Sequence, residues 1–187
     1  MNPILLEFPE KIETERLYLR VCRPGDGKIV YDAIQASIEK LKKWLPFANK
    51  TQTEDETEIN IRKSHAQFLT REDIRILIFR KEDDVLIGST GLHRIDWDVR
   101  RFEIGYWCDS RYQKKGYMIE AVERLVEFTF ADLQANRVEI RCETENLSSR
   151  RIPEKLGFTL EGVLKKNYLS ADGKELRDTC VFAKVKE

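Results

Sequence analysis

Residues 113–117, Gln113-Lys114-Lys115-Gly116-Tyr117, make a short basic and polar stretch with one glycine. Met118, Ile119, Val122, Leu125, Val126, Phe130 and Leu133 follow it at spacings that draw one apolar stripe along a helix. Immediately upstream, Phe102-Glu103-Ile104-Gly105-Tyr106-Trp107 reads as a β-strand. Strand, glycine-bearing turn and helix in that order leave a cluster of backbone N–H groups without partners at the helix start, an arrangement suited to binding phosphate. The same pattern also fits an ordinary strand-to-helix connection whose glycine only relieves crowding.

Other residues could do chemistry as well. Alternation places Glu103 on one strand face with Gly105 and Trp107, opposite Phe102, Ile104 and Tyr106, so its charge needs either a polar cleft or a nearby arginine such as Arg94 or Arg101. Asn146, Ser148 and Ser149 precede a short helical stretch, where capping alone would account for them. Cys22, Cys108, Cys142 and Cys180 are far apart and form no CxxC pair, which reads as buried free thiols rather than zinc ligands or a disulfide framework. A nucleophilic role for Cys108 would need an activating base that no sequence feature supplies. His65 and His93 have no acidic or cysteine cluster at ligand spacing, and no metal is expected.

The elements that must position these groups alternate along the chain. With 187 residues, 41% of them hydrophobic, one sizeable core is expected, and residues 1–187 read as a single domain. Lys plus Arg and Asp plus Glu balance at 33 each, so no global field draws the chain to nucleic acid or to an anionic membrane. No apolar run approaches a membrane span and the N-terminus lacks a secretory pattern, so a cytoplasmic location is expected. Residues 17–22 alternate as a first strand, and residues 28–45 carry helical periodicity, read as two helices joined near Ser37 and stopped by Pro46. Trp44-Leu45-Pro46-Phe47 is an aromatic corner. Thr53 and Glu56 have capping-box spacing and open a third helix reaching about Leu69. Residues 74–79 and 85–92 form a hairpin around Glu82-Asp83-Asp84, and residues 96–100 turn into the Phe102 strand. After the central helix come a strand at 137–142, a short helix at 146–156 ended by Gly157, and two strands at 158–169 and 175–184 around Asp172-Gly173. The total is a mixed α/β sheet.

The order of elements, together with the phrases EIGYW, QKKGYMIEA, NLSSRRIPEKLGF and LEGVL, resembles the GNAT superfamily of N-acetyltransferases, and within it the ribosomal-protein alanine N-acetyltransferase branch. The similarity runs from the Arg16 strand to the Phe182 strand. It implies a mostly antiparallel sheet of about seven strands, flanked by helices and splayed between strands four and five, with acetyl-CoA as cofactor. In the resembling family the turn cradles the pyrophosphate, which assigns Gln113, Lys114, Lys115, Gly116, Tyr117 and Met118 to the cofactor. The backbone of Tyr106, Trp107 and Cys108 would bind the pantetheine arm and the acetyl carbonyl. Asn146 and Ser149 fall on the branch's N-x-x-S spacing, Asn146 holding pantetheine and Ser149 acting on the sulfur, while Arg151 could reach a phosphate. Glu103 matches a glutamate that receives the amine proton in some members. Trp44 and Phe47 would line the acceptor side, where Glu54-Asp55-Glu56 could form an acidic lip.

Three places depart from the family pattern: Met118 ends the turn where glycine or alanine is usual, Pro153 replaces an apolar helix former and needs to lie near the helix's first turn, and Asn167 stands where some members have a glutamate. The resemblance implies direct acetyl transfer in a ternary complex to a peptide or protein N-terminal amine. A small-molecule amine acceptor and a non-catalytic acyl-CoA-binding regulator are the alternatives, and a homodimer is compatible with the sequence.

Overall fold

The computed structural model describes residues 2–187. Strands β1 (Ile12–Glu13), β2 (Leu17–Val21), β3 (Ile74–Arg80), β4 (Leu86–Asp96), β5 (Arg101–Cys108), β6 (Arg137–Glu143), β7 (Thr159–Leu169) and β8 (Leu176–Val185) form one sheet in the order β1-β2-β3-β4-β5-β6-β8-β7. All neighbours are antiparallel except β5 and β6. The eighth strand relative to the sequence expectation is the two-residue β1, so the expected gap falls between β5 and β6. Four α-helices flank the sheet: α1 (Gly27–Leu41), α2 (Glu54–Thr70), α3 (Tyr117–Ala131) and α4 (Leu147–Lys155).

β3 shows why the sheet sits in the middle of the molecule. Its run Ile74-Arg75-Ile76-Leu77-Ile78-Phe79 is apolar on both faces, as a strand covered on both sides must be. Ile74, Ile76 and Ile78 join Leu17, Leu19, Phe102 and Ile104 in a core under α3, whose Val122 and Leu125 are fully buried. Leu77 and Phe79 face the other way, into a second core with Val30, Ala33 and Ile34 of α1 and Ile61 of α2. On α3 the buried stripe uses Tyr117 and Phe128, whereas Phe130 is only half-buried, a shift of the expected face by part of a turn.

The helical periodicity of residues 28–45 resolves into one helix, not two: α1 ends at Leu41 and residues 42–45 turn toward Pro46. Ser37 does not break α1; it is buried, donates from its hydroxyl to Asp109 (3.3 Å) and accepts from the Ser110 N–H (2.8 Å). The chain then continues through a separate 3-10 turn, Pro46–Asn49. At α2 the expected capping box is complete: the Glu56 N–H donates to Thr53 Oγ1 (3.1 Å) and the Thr53 N–H donates to Glu56 (2.8 Å). Glu56 is thereby spent on its own helix end, which removes it from the expected acidic lip.

Candidate active site

β5 and β6 pair only through Arg101↔Arg137, Phe102↔Val138 and Glu103↔Glu139. Beyond that point β5 keeps β4 as far as Cys108↔Gly88, and β6 keeps β8 as far as Glu143↔Thr179. Residues 104–108 therefore turn one unpaired backbone edge into a wedge-shaped gap. An extended chain with amide groups of its own can complete such an edge as an added strand.

The turn between β5 and α3 ends at that gap. Lys114 (φ 64°) and Gly116 (φ 82°) are both left-handed, and Gly116 caps α3 with no side-chain hydrogen bond. Among the described residues, no protein group accepts from the backbone N–H groups of residues 114–119. Alternating backbone handedness followed by a helix start directs such groups outward as an anion-binding nest. The turn is held in place from several sides. Asp109 is fully buried and accepts from Arg111 and Ser37, tying the end of β5 to α1. Glu120 accepts from Thr14 Oγ1 (2.6 Å), from the Arg16 N–H (2.9 Å) and from Arg16 Nε (2.7 Å), while Arg16 Nη1 donates to the Lys115 carbonyl (3.1 Å). Met118 packs its side chain, half-buried, against the core under α3, so its bulk is turned from the amide cluster. Lys114 and Lys115 are exposed, and Gln113 accepts from Lys40 (3.3 Å).

Across the gap stands α4. Asn146 is its N-cap: the side-chain oxygen accepts from the Ser149 N–H (3.2 Å) and from Ser148 Oγ (2.8 Å). Pro153 lies inside the helix, beyond the first turn where it was expected. Proline has no N–H to offer the carbonyl four residues back, which belongs to Ser149. Tyr106 on β5 supplies the missing donor: its hydroxyl donates to the Ser149 carbonyl at 2.8 Å, and Ser149 Oγ lies 3.3 Å from the same hydroxyl. Burial pushes the Tyr106 hydroxyl above its ordinary range, so it stays a donor. Arg150 is taken up by Glu154 and the Thr144 carbonyl, whereas Arg151 is exposed. The Cys108 thiol is pushed up to about 12 by burial and by Asp109.

The opposite face of β4 and β5 carries a cavity of about 310 Å³ under α1 and α2. Leu45, Phe47 and Trp107 give it an apolar wall, while Trp44 stays outside its lining. At its floor His93 Nδ1 and Asp73 Oδ2 are 2.7 Å apart. Twenty residues separate the two in sequence, and the β3–β4 hairpin brings them together. The available signal was the glycine pair Gly91 and Gly105, directly opposed across β4 and β5, because glycine inside a strand marks a close approach by another group. Arg75 also lines the cavity and donates to Asn60 Oδ1 (2.5 Å).

Glu103 lies elsewhere. Its carboxylate is 3.3 Å from Arg94 and 3.4 Å from Arg141, at the last paired position of β5 and β6, and it borders a smaller charged recess of about 200 Å³. Arg101 instead faces Asp96 (3.8 Å). Asn167 donates to Thr179 Oγ1 (2.9 Å) on β8.

A forked sheet with an amide-rich turn at its mouth invites comparison with known proteins, and residues 16–159 match the family described as acetyltransferase (GNAT) domain. The chain belongs to the GNAT family. It is 32% identical over 178 residues to the uncharacterised N-acetyltransferase p20 of Bacillus licheniformis, covering 95% of this chain and 97% of the relative. The ribosomal-protein-serine acetyltransferase of Escherichia coli is 26% identical over 172 residues, 92% of this chain and 94% of that one. In fold, the chain superposes on RimL, a ribosomal L7/L12 alpha-N-protein acetyltransferase solved with coenzyme A, with a TM-score of 0.88 at 20% identity over 94% of this chain and 98% of that one. This GNAT protein is an acetyl-CoA-dependent N-acetyltransferase. Its free amides at 114–119 and open edge at 104–108 fit the coenzyme's diphosphate and its amide-bearing arm. Gly116 fits too, since a Cβ there would stand 3.3 Å from Arg16 Nη2 and its φ is one that other residues rarely adopt.

Proposed function

We propose that this enzyme acetylates the N-terminal α-amine of a peptide or protein by direct transfer, with both substrates bound at once. The observation carrying this reading is the 310 Å³ cavity at Trp107 and Gly105, because it gives an acceptor its own entrance to β5 while Ser149 stands on the α4 side. Acetyl-CoA supplies an activated thioester. Backbone amides of residues 114–118 hold its diphosphate, Arg151 adds a cation, and the edge at Tyr106, Trp107 and Cys108 holds the arm with an N–H directed at the acetyl carbonyl. Asn146 keeps the first turn of α4 in register, and Ser149 Oγ donates to the sulfur. The high Cys108 thiol supports transfer without an acyl-cysteine stage. An α-amine suits the enzyme because its ordinary pKa, about 7.7–8.0, lies near neutrality, far below that of lysine. The names of the ribosomal-protein relatives point the same way.

Thiol release from acetyl-CoA, measured with pentapeptides beginning in Ala, Ser or Met and with spermidine, tests the reading. Peptide-dependent release with the acetyl group on the terminal nitrogen is expected. Turnover with spermidine alone would redirect the acceptor to small amines, and coenzyme binding without turnover on any amine would make the protein a regulator.

A further inference from the structure

We propose that His93, oriented by Asp73, is the group that takes the proton from the acceptor amine. The assignment rests on the acceptor reading above. The imidazole lies on bare backbone: a Cβ on Gly91 would come within 2.9 Å of its Cε1 and Nε2, and one on Gly105 within 3.1 Å of its Cδ2. Gly105 is the second residue past Glu103, the last one paired to β6, so the ring sits where the two strands begin to part. Asp73, an acceptor when ionised, takes the Nδ1 hydrogen and leaves the Nε2 lone pair open. Among the described residues no protein group hydrogen-bonds Nε2. The side chains of His93 and Asp73 remain 34% and 27% exposed and both line the cavity, so an entering amine can reach them.

The charged neighbours of the ring are Asp73 ahead of β3, Arg75 on β3, Arg94 on its own strand and Glu103 directly opposite on β5, the last already held by Arg94 and by Arg141 of β6. With Glu103 so engaged, His93 is the accessible base in the cavity. The ammonium gives one proton to Nε2, which passes it to solvent. The second leaves nitrogen as the C–N bond forms and the C–S bond breaks, and ends on the departing sulfur, so that ammonium and thioester yield amide, thiol and one proton.

The test compares wild type, His93→Gln and Asp73→Asn on the peptides and spermidine named above. For whichever peptide wild type turns over best, His93→Gln should lose about 10²-fold in kcat/KM near pH 7. Coenzyme affinity should hold, and the deficit should shrink to under about tenfold near pH 9.5, where most of an α-amine is already neutral. Asp73→Asn should behave alike but more mildly. Independently of turnover, two-bond proton–nitrogen NMR of the imidazole at about pH 9 should show the Nδ1–H tautomer in wild type and its loss in Asp73→Asn. An Nε2–H tautomer, a loss in His93→Gln equal at both pH values, or full activity of a folded His93→Gln would overturn the assignment while leaving acetyl transfer intact. A wild type that acetylates none of the peptides would bring down the acceptor reading and this assignment together.

Discussion

Tyr106→Phe removes the donor that completes α4, and its cost can be worked from the site. In an uninterrupted helix the Ser149 carbonyl would accept from residue 153, but Pro153 has no N–H, and the Tyr106 hydroxyl at 2.8 Å takes its place. Deleting that hydroxyl leaves a part-buried carbonyl with only intermittent water, a loss of about 1–2 kcal/mol. For a chain of this length that lowers Tm by about 2–8 °C. Pro153→Ala restores a backbone N–H within reach of the same carbonyl, so the tyrosine hydroxyl becomes redundant there. In the Pro153→Ala background, Tyr106→Phe should therefore cost less by about 1 kcal/mol, a coupling that neighbouring groups sharing one acceptor show and independent ones do not. Urea denaturation of the four proteins of this cycle, followed by circular dichroism, measures it. Equal costs in the two backgrounds, to within about 0.5 kcal/mol, would refute the reasoning.

Ser149→Ala should reduce turnover about 10²-fold while coenzyme affinity by calorimetry stays within about threefold, because in the proposed mechanism the hydroxyl acts at the sulfur and not along the arm. Gly116→Val should act in reverse, weakening coenzyme binding about tenfold or more with a smaller change in saturated turnover, since a φ of 82° costs a β-branched residue about 1–2 kcal/mol and the turn must reshape. Burial pushes the Glu139 carboxyl upward, but hydrogen bonds from Arg137 (2.6 Å) and Arg141 (2.8 Å) more than offset it and hold the group below its ordinary 4.5. A carboxylate depressed in the folded state stabilises fully above its unfolded value and loses that contribution as pH falls through its folded value. Wild type should thus exceed Glu139→Gln in urea midpoint near neutral pH, and the two should converge as the pH falls from about 4.5 through the lower folded-state value.

Much of this molecule was legible as local pattern. The capping box at Thr53 and Glu56, the turn at Asp172-Gly173, the stop at Gly157 and the strand, turn and helix around Gly116 are each written in residues a few positions apart. Where local pattern misled, a distant partner was the reason. Ser37 looked like a joint in α1 until Asp109 and Ser110 satisfied it from the end of β5. Pro153 looked like a reason for α4 to begin late, yet Tyr106 lets the helix run through it.

The amino-acid sequence alone determined the order and type of most of the elements, the glycine-bearing turn that opens α3 and the capped helix start at Asn146 and Ser149, because periodicity, capping and backbone handedness act between near neighbours. Tertiary structure decided the rest: that β5 and β6 part after Glu103, that Glu103 is held by Arg94 and Arg141, and that His93 meets Asp73 on a floor of two glycines. Those outcomes depend on strand register and on which faces meet across the sheet. Register is settled by the summed packing of whole strands, and no short stretch of residues carries that sum.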